Sequence, residues 1–174
     1  FQLQIAAVGT GAGKVIHGWT LTDPEEATRK KAIEFIEKMI SFGAVFQAPA
    51  IIGSMQGNVA QGCIHGQSID ILAEGLHVLD EHATSLGVKL IYEPLNRYET
   101  NLMNTLDDAA AFIESNKFRN IVLLADLFHM NIEEADPAAS IQKIFNISVM
   151  YILQTATGNL LDMGTHKWKA LPMH

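Results

Sequence analysis

Two acidic side chains and a histidine stand where apolar segments of this chain end. Glu93 follows the aliphatic run 88–92, and the residue after it is a proline, which has no N–H with which to extend a β-ladder. Asp126 follows a second apolar run, 120–125, and His129 comes three residues later. Hard divalent cations such as Mn²⁺ and Mg²⁺ prefer carboxylate oxygens, sometimes joined by an imidazole. The spacing therefore predicts a metal site, with His129 on a loop that leaves the second strand.

Each of these three residues also has an ordinary structural interpretation. Glu93 could be a loop or capping carboxylate, Asp126 an N-cap, and His129 a structural ring. Acids that directly follow buried strands are, however, how α/β enzymes present catalytic groups, and this placement favours function for all three. His77 and His82 lack such a context and are predicted to lie on the exposed side of a helix.

The elements that must position these residues alternate along the chain. A repeat of roughly 30–45 residues predicts βαβ units and a parallel sheet. This pattern fits a (β/α) TIM barrel, partial, with about five units present, and it fits a doubly wound open sheet equally well. No periodicity is clear after Gln154. The predicted strands are 3–8, 44–52, 88–92, 120–125 and 147–154, and the predicted helices are 24–42, 68–86, 105–115 and 137–145.

Local signals predict the ends of two helices. Asp23 is a suitable N-cap, Pro24 suits the first helical position, and Glu26 would complete a capping box. Gly43 is predicted to end that helix. Thr105 is the predicted N-cap of the helix that follows the Glu93 motif.

Composition limits the class of protein. The 174 residues are 48% hydrophobic and 18% charged, which predicts one ordered domain over 1–174. A net charge of −7 repels phosphate backbones, so we expect no nucleic-acid partner. No apolar run is long enough for a membrane span, so we expect no membrane partner. The single cysteine, Cys63, and the lack of a recognisable signal peptide predict a cytoplasmic location.

The glycine-rich segment 9–14 resembles a phosphate-binding loop but meets neither pattern. Val15 stands where a P-loop needs Ser or Thr, and Lys14 occupies the third glycine position of a dinucleotide fingerprint. We therefore expect no phosphate-binding role for this loop.

Two longer motifs resemble a known family. Residues 93–99 read EPLNRYE and residues 124–134 read LADLFHMNIEE. Both are similar to the sugar isomerase/epimerase family with the xylose isomerase-like TIM barrel, and most similar to the ketose 3-epimerases that act on tagatose and psicose. The likeness runs from about Leu3 to Asn131, with a fainter echo to Trp168. It implies that the chain starts near the third barrel strand, with N- and C-terminal units missing.

The resemblance implies roles for five residues. Glu93 would bind a divalent metal ion, Mn²⁺ or Mg²⁺, and act as acid/base at the sugar carbon that is epimerised. Asp126 would be a second metal ligand, while Glu99 and His129 would hydrogen-bond the substrate. The third metal-ligand position falls at Gln154, where the family has a histidine.

The chain departs from the family pattern in its last part. The position of a substrate-binding arginine is Leu160, and the second catalytic glutamate, expected on the last strand, has no counterpart before His174. His166 is an alternative ligand in place of Gln154. These departures leave a second interpretation open, in which the chain is a non-catalytic, degenerate sugar-binding barrel remnant.

The expected partner is a small-molecule sugar or sugar phosphate. An AP-endonuclease of the same barrel type would need a basic face for DNA, which the charge of −7 disfavours. Five barrel units would leave two open strand edges, and a strand edge tends to pair with another chain. We therefore predict a homo-oligomer.

Overall fold

A single sheet forms the centre of the molecule. The computed structural model describes residues 4–145 and the backbone of 151–154 and 160–162. Each strand of the described residues pairs with its neighbours in sequence, and the first five strands are parallel, whereas the last is antiparallel to the fifth. The strands are β1 (Val8–Gly9), β2 (Ala50–Ile52), β3 (Leu90–Tyr92), β4 (Ile121–Asp126), β5 (Tyr151–Gln154) and β6 (Leu160–Asp162).

The strand order separates the two predicted folds. A doubly wound sheet reverses its strand order at a switch point, whereas a (β/α) barrel adds each new strand beside the previous one. The order β1 to β5 has no reversal, which is the barrel pattern. The helices are α1 (Ala12–His17), α2 (Glu26–Ala44), α3 (His65–Ser85), α4 (Leu106–Asn116), α5 (Leu127–Glu133) and α6 (Pro137–Phe145).

Successive strand residues pack into two separate apolar layers, because side chains alternate between the faces of a sheet. One face packs against the helices in a large core that includes Ile52, Tyr92 and Leu123. The other face forms a smaller cluster around Ile91 and Leu124. This smaller cluster is the inner face of the partial barrel. It also contains Val122, with Ile51 and Ala7 packed against it.

The two long helices pack on the sheet through apolar stripes, in which apolar residues recur three and four positions apart. In α2 and α3 the central residues of the stripe are at most 1% exposed. Their spacing of three and four residues predicts such a buried helix face. Leu86 at the end of the second stripe is exposed. His77 is exposed as predicted, whereas His82 is half-buried and its Nε2 lies 2.9 Å from Ser41 Oγ. The buried stripe residues are Ala32, Ile36, Ile40, Leu72, Leu76, Leu79 and Ala83.

The predicted strand 44–52 is mostly wrong. Ala44 belongs to α2, residues 45–47 form a turn, and the strand begins only at Ala50. Gly43 lies within the helix rather than ending it. A Cβ at Gly43 would lie 2.6 Å from the carbonyl oxygen of Ala48, so the glycine lets the chain fold back closely onto the helix. The strands predicted over 88–92 and 120–125 begin later than predicted, at Leu90 and Ile121, and residues 4–7 of the predicted first strand lie outside β1. Positions 1–3 and 146–150, which include the predicted start of the last strand, lie outside the described residues.

The predicted capping box of α2 is also wrong. The helix begins at Glu26, so Pro24 precedes it. The carboxylate of Asp23 accepts a hydrogen bond from the backbone N–H of Glu25 at 2.9 Å, which is a local turn and not a helix cap. The Glu26 carboxylate instead pairs with Lys30 at 2.7 Å on the helix surface.

The predicted start of α4 is confirmed. Thr105 Oγ1 accepts a hydrogen bond from the backbone N–H of Asp108 at 3.1 Å and donates to the Asp108 carboxylate at 2.7 Å. After α3 the chain turns at Gly87, whose φ of +70° is favourable only for glycine. Among the described residues no helix is both long and apolar enough to cross a membrane.

The start of β4 depends on a buried carboxylate. Asp80 of α3 is 5% exposed and accepts hydrogen bonds from the backbone N–H groups of Arg119 and Asn120 at 3.0 and 2.9 Å.

We expect Asp80→Ala to lower the free energy of unfolding by about 2–3 kcal/mol, because two backbone donors lose their acceptor. Urea denaturation would measure this change. Asp70→Ala, at an exposed position of the same helix, should change it by less than about 0.5 kcal/mol, and equal effects would contradict the assignment.

Candidate metal and acid/base site

The strand ends place both acidic side chains on the inner face of the sheet. Glu93 directly follows β3, and its backbone N–H donates to the carbonyl of Ile52 at 3.0 Å, so it continues the pairing with β2. Asp126 is the last residue of β4. Because every second residue of a strand shares a face, Glu93 lies on the side of Ile91 and Asp126 on the side of Leu124. The two carboxylates therefore extend the inner apolar cluster at its carboxyl end.

Glu93, Asp126 and His129 come together as a group. Each offers one ligand atom, and these three atoms all lie within 4.8 Å of one another. Asp126 and His129 are each 8% exposed, and the Glu93 side chain is 15% exposed. His129 lies on α5, which begins directly after β4, so the predicted loop at this position is wrong. One turn of that helix places the ring beside the strand ends.

Asp126 has the capping role that the sequence left open, and this role does not exclude the predicted metal ligand. Its Oδ1 accepts a hydrogen bond from the backbone N–H of Phe128 at 2.8 Å, which caps the first turn of α5. A carboxylate has two oxygens and accepts at several lone pairs, so capping by one oxygen is compatible with a metal bond to the other. The cap fixes the carboxylate orientation at the site.

Glu93 has an acidity suited to proton transfer. The pKa of Glu93 is raised to about 7, chiefly by burial and in addition by the negative charges of Asp126 and Glu99. A carboxyl group whose pKa lies near neutral pH exists in both protonation states there, and can therefore take and return a proton. This is the strongest electrostatic perturbation of a carboxyl group near the site.

The position of Glu93 is held from the side of β2. A Cβ at Gly53 would lie 2.5 Å from Glu93 Oε2, so only glycine leaves room for the carboxylate there. The side-chain amide of Gln56 donates to the carbonyls of Gly53 and Glu93, each at 3.0 Å. Its oxygen accepts from the Tyr92 hydroxyl, and burial raises the pKa of Tyr92, so this hydroxyl remains a donor. Sequence analysis did not identify Gly53 or Gln56, because their roles depend on contacts between strands.

Of the remaining predicted residues, Glu99 lies at the edge of the site. Its side chain is 44% exposed, and its Oε1 is 3.8 Å from His129 Nδ1. The Cα of Gln154 is paired in register with that of Asp126, at the end of the neighbouring strand. The Gln154 side chain and residue His166 lie outside the part of the chain that the structure describes.

A bidentate ion pair joins the loop after β3 to α5. The Arg97 guanidinium donates from Nε to Glu133 Oε1 and from Nη2 to Oε2, each at 2.9 Å, and the Arg97 backbone N–H donates to the same carboxylate. Paired forks of this kind restrict geometry more than a single contact does. The contact holds the loop that follows Glu93 against the helix that carries His129.

The donor set fits a hard divalent cation. Two largely buried carboxylates lie side by side, and their mutual repulsion is one cause of the raised Glu93 pKa. A cation between them would offset this repulsion, and oxygen donors of this type are those that Mg²⁺ and Mn²⁺ prefer. The geometry therefore supports a divalent-metal site.

Fold and site together define a (β/α) barrel protein with its polar residues at the carboxyl ends of the strands. Residues 1–167 match the model of the family described as xylose isomerase-like TIM barrel. The chain belongs to this family, and its fold is a partial barrel of that type.

Individual relatives are sugar epimerases. The chain is 37% identical over 71 residues to the 3-dehydro-D-guloside 4-epimerase of Escherichia coli, covering 41% of this chain and 27% of that enzyme. It is 28% identical over 134 residues to the D-psicose 3-epimerase of Agrobacterium fabrum, and the match covers 75% of this chain and 45% of that enzyme. A solved structure of an L-ribulose 3-epimerase superimposes with a TM-score of 0.70 at 26% identity, and the match covers 90% of this chain and 52% of that one. The chain thus spans about half or less of the length of these proteins.

The raised pKa of Glu93 makes a prediction about stability in the metal-free protein. Above pH 7 the folded state must hold Glu93 charged, whereas the unfolded chain ionises it at its usual pKa of 4.5. Stability should therefore fall between about pH 4.5 and 7, by on the order of 3 kcal/mol from this residue. We expect Glu93→Gln to be more stable than the parent chain at pH 8 and to lose this advantage at pH 4.5.

Urea unfolding with chelator at both pH values would measure this difference. The control is Glu114→Gln on the exposed surface of α4, which should not change the pH dependence. A Glu93→Gln variant that is equally stabilised or destabilised at both pH values would show that Glu93 does not titrate as described.

Proposed function

We propose that this chain carries the metal and acid/base centre of a divalent-metal-dependent sugar epimerase, which moves a proton at the carbon beside a sugar carbonyl. The observation that carries the proposal is Glu93, a largely buried carboxylate with a pKa of about 7 beside Asp126 and His129. Relatives named D-psicose 3-epimerase and L-ribulose 3-epimerase support a ketose substrate and its C3 carbon.

Glu93 is the proposed proton acceptor. The hydrogen on C3 of a ketose is adjacent to the C2 carbonyl, and a bound Mn²⁺ or Mg²⁺ would polarise that carbonyl so that the hydrogen becomes more acidic. Glu93, held by Gly53 and Gln56, removes the proton from the face of the sugar that it contacts. Asp126 would bind the same metal ion through the carboxylate oxygen that does not cap α5.

Polar residues around this pair are proposed to hold the substrate. His129 projects from α5 into the same pocket, and Glu99 lies at its rim, where both could hydrogen-bond sugar oxygens. Gln154 is proposed as a neutral ligand from the strand beside Asp126, on the strength of its register. Inversion at C3 also needs a second acid/base group on the opposite face, and the family resemblance implies that this group would come from the final barrel strand.

The test follows the C3 proton directly. D-Psicose and L-ribulose are incubated with the chain and Mn²⁺ in D₂O, and proton NMR follows loss of the C3 signal and formation of the epimer. We expect exchange by the parent chain and a loss of roughly 10²-fold or more in Glu93→Gln, because the general base is removed. Glu114→Gln, a matched change on the exposed surface, should retain the parent rate.

Exchange that survives in Glu93→Gln would contradict the assigned base. Absence of exchange in the parent chain, together with calorimetric binding of D-psicose, would instead favour the second interpretation of a non-catalytic sugar-binding protein. The homo-oligomeric state and the cytoplasmic location remain predictions.

A further inference from the structure

The geometry assigns Asn96 a positioning role: it fixes the tautomer of His129, so that the ring presents a proton on Nε2 to the site. Asn96 is 2% exposed and lies between His129 and Glu99. What this tautomer means for function rests on the proposed function. A ring with a proton on Nε2 can donate to a sugar oxygen but cannot bind a metal ion through that nitrogen. The inference about the tautomer itself does not depend on catalysis.

The orientation of the Asn96 amide is set by its own loop. The backbone N–H of Tyr98 donates to Asn96 Oδ1 at 3.0 Å, which identifies that atom as the oxygen. The amide nitrogen therefore faces the opposite way, where it donates to Glu99 Oε1 at 3.1 Å and lies 2.8 Å from His129 Nδ1. An amide nitrogen has only donors, so His129 Nδ1 must accept.

The backbone of Asn96 favours the same assignment through a second and longer contact. Its N–H lies 3.2 Å from His129 Nδ1 in hydrogen-bonding geometry. A backbone N–H can only donate, so two donors converge on one ring nitrogen. A ring whose Nδ1 accepts carries its proton on Nε2.

Glu99 would favour the opposite tautomer if it reached the ring. Its Oε1 lies 3.8 Å from His129 Nδ1, and a carboxylate attracts a protonated nitrogen. The Asn96 amide donates to this oxygen and so occupies the side of Glu99 that faces the ring. Asn96 therefore separates Glu99 from His129, and its amide donates a hydrogen bond to each of them.

The other ring nitrogen faces the proposed base. His129 Nε2 lies 3.9 Å from Glu93 Oε1, beyond hydrogen-bond distance. A hydroxyl group of a bound sugar that lies near both residues would accept from Nε2 while its carbon is close to Glu93. Within the group of three, the metal is then held by Glu93 and Asp126, and His129 binds substrate.

Nitrogen NMR tests the tautomer without substrate or metal. Long-range proton–nitrogen correlation spectra of the full ¹⁵N-labelled chain distinguish protonated from unprotonated ring nitrogens, and His129→Gln identifies the His129 signals. We expect Nδ1 unprotonated and Nε2 protonated in the parent chain. In Asn96→Asp a carboxylate replaces the donor, and we expect the proton to move to Nδ1. Asn101→Asp, at an exposed position of the same loop whose Oδ1 already serves as acceptor, should leave His129 unchanged.

A proton on Nδ1 in the parent chain would overturn the inference, whether or not Asn96→Asp folds. An unchanged tautomer in a folded Asn96→Asp variant would overturn it as well. Saturation with Mg²⁺ alone gives a further readout, in which we expect the Nε2 proton to persist, and its loss would assign His129 to the metal. Because these spectra require no turnover, an inactive chain can still confirm the tautomer, and a wrong tautomer leaves the C3 exchange experiment intact.

Discussion

The close approach of two carboxylates at the ends of adjacent parallel strands is the constraint on which this site depends. β3 and β4 are in fixed register, and the alternation of side chains places Glu93 and Asp126 on the same inner face. The energetic cost of charging Glu93 in this position is visible in its pKa of about 7. A cation between the two carboxylates would offset this cost and favour the charged form of Glu93, which is the form that can accept a proton.

The surrounding residues make this arrangement rigid. Gly53 leaves the space that the Glu93 carboxylate fills, and Gln56 connects the backbone on both sides of it. On the other side, the Arg97–Glu133 pair holds the following loop against α5. The carboxylates are thus positioned from neighbouring strands and from the helix that follows, which is the preorganisation that proton transfer requires.

Part of the fold and of the candidate site was predictable from sequence, because their local patterns are strong. The two long helices followed from apolar spacing, and Glu93 and Asp126 were recognisable because each ends an apolar run. The strand 44–52 failed because Val45 and Phe46 resemble strand residues in type, although the structure exposes both in a turn. The helix that carries His129 was missed because a seven-residue helix offers too few repeats for a periodic signal.

Other features could not be read from local sequence at all. Asp23, Pro24 and Glu26 form a capping pattern, yet Glu26 pairs with Lys30 and the helix starts after the proline. Asn96 acts on His129, which lies 33 positions further along the sequence, and only the packing of the strand ends creates this contact.

The proposed site needs a divalent cation between Glu93 and Asp126, and anomalous diffraction from crystals grown with Mn²⁺ tests this most directly. We expect one anomalous peak within about 2.5 Å of a carboxylate oxygen from each of these two residues. A well-diffracting crystal without a peak at this position, or with manganese bound only elsewhere, would contradict it.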